Sequence, residues 1–80
     1  MKARVHVTLK SGVLDPQGKA IAQALQALGF DGVKDARQGK VIELDLEDGD
    51  TSAAQARVDE MCRQLLVNSV IETYRVELEG

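Results

Sequence analysis

The sequence predicts an α+β fold, a ferredoxin-like β-α-β-β-α-β sandwich with a four-stranded antiparallel sheet and two helices on one face. Three observations point there. Segments of period two open the chain, close it and recur near its centre. Two stretches of helical period, each begun by a capping residue, lie between them. Two amphipathic helices can cover only one side of a sheet, which suits strands that alternate apolar and polar. No linker, repeat or low-complexity tract interrupts the order, so residues 1–80 are expected to form one domain.

Residues 3–10 place Ala3, Val5, Val7 and Leu9 on one face and Arg4, His6, Thr8 and Lys10 on the other, the pattern of a half-buried strand. Residues 11–15 make a turn around Gly12. Asp15 and Pro16 then start a helix, with a carboxylate at the N-cap and a proline at the first helical position, where its missing N–H costs nothing. Ile21, Ala24, Leu25 and Leu28 fall at helical spacing, and Gly29 provides the left-handed stop. Gly18 in the first turn lowers helix propensity without a local reason.

Residues 32–37 are a weak strand candidate, with Val33 and Ala36 its only apolar members, followed by a hairpin turn at Gln38, Gly39 and Lys40. Residues 41–47 are a clearer strand, Ile42, Leu44 and Leu46 facing in and Glu43, Asp45 and Glu47 facing out. Asp48, Gly49 and Asp50 break the chain. Ser52 with Gln55 matches a capping box, and Ala54, Val58, Met61, Cys62 and Leu65 form one helical stripe that ends near Asn68. Residues 71–79 close the fold as a strand, Tyr74, Val76 and Leu78 alternating with Thr73, Arg75 and Glu77.

A chain of 80 residues buries only roughly 60% of its unfolded surface, so a lone copy would be marginal. One cysteine and one histidine exclude an intrachain disulfide and argue against structural zinc. Self-association is the remaining staple. Ten basic against thirteen acidic residues give a net charge of −3, which argues against nucleic acid, whose phosphates need a basic surface. Phe30 and Tyr74 are the only aromatics, too few for a base-stacking platform. No run approaches the ~20 apolar residues that span a bilayer. The chain begins on its first strand pattern, with no signal-peptide core, and a free thiol suits a cytoplasmic location.

No catalytic, cofactor-binding or metal-binding residue is expected. His6 is the only histidine, but it sits on the polar face of a strand with no nucleophile near it in sequence. Cys62 lies inside an apolar stripe, where a thiol behaves as a small hydrophobe. Glu43, Asp45, Glu47, Asp48 and Asp50 lack the wrapped loop of a calcium site and read as a solvated face. The glycines form neither a dinucleotide fingerprint nor a phosphate loop. The remaining signal is apolar: Val13, Leu14, Phe30, Val67, Val70 and Ile71 occupy connections, where a monomer favours polar residues. The candidate interface is Val13, Leu14, Val70 and Ile71, with Tyr74 of the last strand.

Three segments carry a resemblance to a known family: VTLKSGVLDPQGKAI at 7–21, RQGKVIELDL at 37–46 and MCRQLLVNSVIETYRVEL at 61–78. In order and at matching length they resemble the PurS family, the small subunit of formylglycinamide ribonucleotide amidotransferase. Lys10, Gly12, Val13, Leu14, Asp15, Pro16, Gly18 and Ala20 stand in uninterrupted family register. Asn68-Ser69 departs from the family's usual Asn-Pro, which should loosen that connection without moving the strand.

The resemblance implies a non-catalytic assembly subunit in purine biosynthesis. It would join a glutaminase subunit to a large ATP-dependent synthetase subunit and assist ammonia transfer between them. It further implies association with itself, as homodimer or homotetramer, and no cofactor on this chain, with ATP, magnesium and glutamine used by the partners. The alternative is a small-molecule sensor of the ACT type, which shares the element order and binds an amino acid near the first turn. Thermal stabilisation by amino acids would mark the sensor. An acylphosphatase-like hydrolase is disfavoured, because the arginine-bearing glycine loop is missing after the first strand.

Overall fold

A computed structural model describes residues 1–79. The order is β1 (Lys2–Leu9), α1 (Pro16–Ala27), β2 (Lys40–Asp45), α2 (Thr51–Met61), a five-residue π-helical turn (Cys62–Leu66) and β3 (Glu72–Glu79). The three strands form one antiparallel sheet in the order β2-β1-β3. Val5 stands opposite Ile42 on one side and Val76 on the other. Ala3 is likewise flanked by Leu44 and Leu78, while Val7 lies between Lys40 and Tyr74. Ala3, Val5 and Val7 are fully buried beneath Val58 and Cys62 of the α2 layer, and Val67 completes this small core.

The expected fourth strand is corrected: residues 32–37 pair with no strand, and the sheet has three. The physical reason lies in where the segment's backbone groups go. The Gln26 side chain donates to the Val33 carbonyl at 2.8 Å. The Gln38 N–H donates to Asp15 Oδ2 at 2.7 Å. Ala36 lies with its carbonyl against Gly18. With two apolar side chains to bury, the segment gains more from α1 than from a sheet edge. The expected hairpin at 38–40 goes with it; instead Gly39 packs where a Cβ would fall 2.6 Å from the Val7 carbonyl oxygen.

The arrangement of two helices on one face is corrected as well. α2 lies along β3 and packs Val58 into the core with the buried residues of β1, whereas α1 makes at most a marginal contact with the sheet or α2. The Cα radius of gyration is 16.0 Å, with extents of 49 × 25 × 14 Å. A compact domain of this length would have a radius of about 12 Å. α1 is thus an arm that lengthens the molecule rather than a lid on its sheet.

The caps explain the helix boundaries. Asp15 caps α1 with Pro16 behind it, and Gly29 ends the helix region at φ 99°. For α2 the cap is Asp50, whose Oδ1 accepts from the Ser52 N–H at 3.3 Å, not Ser52 itself. Aspartate two residues earlier takes the cap because the chain already bends at Asp48.

Candidate interface

The end of the sheet from which α1 departs is tied together by short polar contacts. Lys10 donates its N–H to the Ile71 carbonyl and its ammonium to the Ser69 carbonyl, both at 2.8 Å. Its own carbonyl accepts from the Val13 N–H at 2.9 Å. Arg37 reaches the same place, one guidinium nitrogen donating to the carbonyls of Leu9, Lys10 and Val13 at 3.3, 2.9 and 3.2 Å. The turns at 10–15 and 68–71 therefore meet, and four of the five candidate residues gather there. Leu14 is 71% exposed and Val70 78%; Ile71 is exposed more modestly and Val13 is half-buried. Tyr74 lies apart, half-buried beneath α2, with its hydroxyl donating to Asp59 Oδ1 at 3.2 Å. Burial, reinforced by that carboxylate, pushes the phenol above its ordinary range.

Sequence reasoning did not separate out the stripe of α1. The helix buries only Gly18 and Ala22. Ile21 and Leu28 are exposed, Leu28 at 74%, and Phe30 beyond the helix is exposed too. Helical spacing identifies an apolar face but not the body that covers it. Ile21 and Leu28, seven positions apart, share one side of the arm, an apolar surface of the kind that marks contact sites, whereas Leu14 lies by the other side, with Lys19, Ala22 and Gln26.

The reactive side chains are placed structurally. His6 Nε2 stands 2.5 Å from Glu77 Oε1, within a lattice of charges on the wet face of the sheet that pairs Arg4 with Glu79 and Glu43 and Arg75 with Glu77. Arg75 and then His6 hold Glu77 below the usual carboxylate range. Cys62 is fully buried, and burial pushes its thiol up, away from the reactive thiolate. Among the described residues no group of three His, Cys, Asp or Glu side chains could hold a metal ion, and no helix is long and apolar enough to cross a membrane.

Leu14→Ser separates packing from contact. Leu14 is open to solvent, so the variant's melting temperature should stay within the span of a ~0.5 kcal/mol surface change. If the turn is an interface between copies, sedimentation should show the variant associating more weakly than the native chain. A large loss of melting temperature with unchanged association would make Leu14 a packing residue instead.

Residues 2–80 match the family model described as PurS, phosphoribosylformylglycinamidine (FGAM) synthase. Among curated proteins, the chain is 52% identical to the phosphoribosylformylglycinamidine synthase subunit PurS of Synechocystis sp. over 94% of its own length and 75% of that protein's. It is 47% identical to the Bacillus subtilis subunit over 98% and 92%. Among solved structures, the Methanocaldococcus jannaschii PurS superimposes with a TM-score of 0.88 at 41% identity, over 98% of this chain and 94% of that one. A chain of the Thermotoga maritima PurLQS structure gives 0.86 at 37%, over 95% and 93%. The chain belongs to the PurS family.

Proposed function

We propose that this chain is the small, non-catalytic subunit of phosphoribosylformylglycinamidine synthase in purine biosynthesis. It acts in the cytoplasm, associates with itself, and joins a glutaminase subunit to a large synthetase subunit. The observation that carries the reading is the outward stripe of α1, an apolar helix face on a member of a family whose relatives are named as synthase subunits. A relative of the same fold stands within the PurLQS structure. ATP, magnesium and glutamine act on the partners, and this chain binds none of them.

The chemistry gives such a subunit a purpose. Ammonia released by a glutaminase is mostly protonated at neutral pH, and ammonium is not a nucleophile. A sealed route between the two active sites preserves the reactive form. A small domain with a charged, closed sheet face and an apolar arm can seal and align such a route without reacting itself. Alone, the chain should show no glutaminase, ATPase or ligase activity. Added to both partners, it should be required for turnover on glutamine; full turnover in its absence would overturn the reading.

A further inference from the structure

We propose that the turn at residues 68–71 is a self-modification site, where the Ser69 nitrogen attacks the Asn68 side chain, expels ammonia and leaves aspartate or isoaspartate. The inference does not rest on the assembly reading. Asn68 is the only asparagine in the chain, Ser69 follows it, and both are exposed. Ring closure needs a free N–H on the next residue, a side chain folded back over it, and a donor for the oxyanion. The Ser69 N–H meets no acceptor among the described residues, and serine is small enough to admit the ring. The Asn68 carbonyl accepts from the Ile71 N–H at 3.1 Å and the Glu72 N–H at 2.7 Å, which closes the turn. Asn68 Oδ1 accepts from the Val70 N–H, two residues on, at 3.1 Å. That contact folds Cγ back towards the Ser69 nitrogen and gives the oxyanion its donor. The Lys10 ammonium donates to the Ser69 carbonyl at 2.8 Å, placing a positive charge beside the nitrogen that must lose its proton.

The step balances without an oxidant or a cofactor. The Ser69 nitrogen gives its proton to solvent and bonds to Asn68 Cγ; the Cγ–Nδ2 bond breaks, and Nδ2 takes up a proton and leaves as ammonia. A succinimide ring remains in the backbone, and water opens it at one of two carbonyls. Opening at Cγ restores a normal backbone with aspartate at position 68. Opening at the main-chain carbonyl gives isoaspartate, in which the chain runs through the side chain. The main-chain carbonyl is the one polarised by two N–H donors, so isoaspartate is the expected major product. Either product sets a new negative charge against Glu72, whose carboxylate accepts from the Asn68 N–H at 2.8 Å. Isoaspartate also adds a methylene to the backbone just before Val70 and Ile71. The modification thereby loosens the turn that carries two of the candidate interface residues.

Timed incubation of the full chain in mildly alkaline buffer, followed by peptide mapping by mass, tests the proposal. The mass gain of deamidation should appear in the peptide containing residue 68. It should grow several-fold faster than in mildly acidic buffer, and no more slowly in the folded chain than in urea. Isoaspartate is scored within that peptide, because Asp31-Gly32 and Asp48-Gly49 isomerise with no mass gain. Ser69→Pro removes the attacking N–H at a turn position that accepts proline, and should abolish the gain. Should that variant fold poorly, Asn68→Gln keeps the amide but needs a larger ring, and should also show no gain at position 68. The aged chain, separated by its added charge, should melt below the fresh one. No gain at residue 68 in the folded chain, or a gain several-fold slower than in urea, would overturn the proposal, because the turn would then protect Asn68. A gain undiminished in Ser69→Pro would overturn it too, since ammonia would then be lost without the Ser69 nitrogen.

Discussion

Gly18→Ala should destabilise the protein, although helix propensity alone favours alanine by about 1 kcal/mol. A Cβ at position 18 would fall 2.1 Å from the Ala36 carbonyl oxygen and 2.9 Å from both its carbonyl carbon and Asp15 Oδ2. Two of these atoms are backbone and the third is a carboxylate already engaged as the cap, so none can rotate away. Relief requires α1 to lift off residues 35–38, which strains the Asp15 contact to Gln38. Overpacking costs about 1–3 kcal/mol, and a lost hydrogen bond adds about 1 kcal/mol. The clash outweighs the propensity gain, and the urea midpoint should fall with the helical circular dichroism. A variant as stable as the native chain would show that α1 and residues 35–38 do not touch in solution.

Replacing Asp15 should produce the second large effect, and its pH dependence identifies the cause. The carboxylate is buried and accepts from the Gly18 N–H at 2.9 Å through Oδ1 and from the Gln38 N–H at 2.7 Å through Oδ2. Asp15→Ala leaves both donors without an acceptor, a larger loss than an ordinary cap. Asp15→Asn keeps one acceptor and should fall between the two. The Gly18 and Gln38 N–H groups, aided by the charge of Arg37, hold the carboxyl below its usual range against the opposing effect of burial. A depressed folded pKa contributes stability that is fully present above the unfolded value of about 3.9 and is lost as pH falls through the folded value. The melting-temperature gap between the native chain and Asp15→Asn should therefore be constant near neutrality and narrow below about pH 4. A gap that stays constant through acid would mean that the charge of Asp15 contributes nothing.

Much of the fold was legible because local chemistry decided it. The alternation in residues 3–10 became β1 with Ala3, Val5 and Val7 buried and Leu9 half-buried, and Asp15, Pro16 and Gly29 bounded α1 as their backbone preferences dictate. What escaped the sequence depends on contacts across distance. Gly18 gave no local reason for its presence, because its neighbour Ala36 is brought there only by the return of the chain. Residues 32–37 carry a strand's length without a strand's apolar content; the Val33 carbonyl accepts from Gln26 of α1, and the Val33 and Ala36 N–H groups find the Phe30 carbonyl and the Asp35 carboxylate close by. The stripe of α1 was visible as a period, but a period is the same whether the helix covers its own sheet or another surface. The gathering of Val13, Leu14, Val70 and Ile71 was likewise visible only as apolar residues in connections, and Lys10 is the residue that joins their two turns.

The central claim is that this chain couples two active sites instead of forming one. The direct measurement is turnover of the reconstituted synthase with and without the chain, using glutamine and then ammonia as the nitrogen source. Omission of the chain should abolish glutamine-dependent turnover while ammonia-dependent turnover is largely retained. Equal loss with both nitrogen sources would contradict the claim and place the chain within the synthetase site itself.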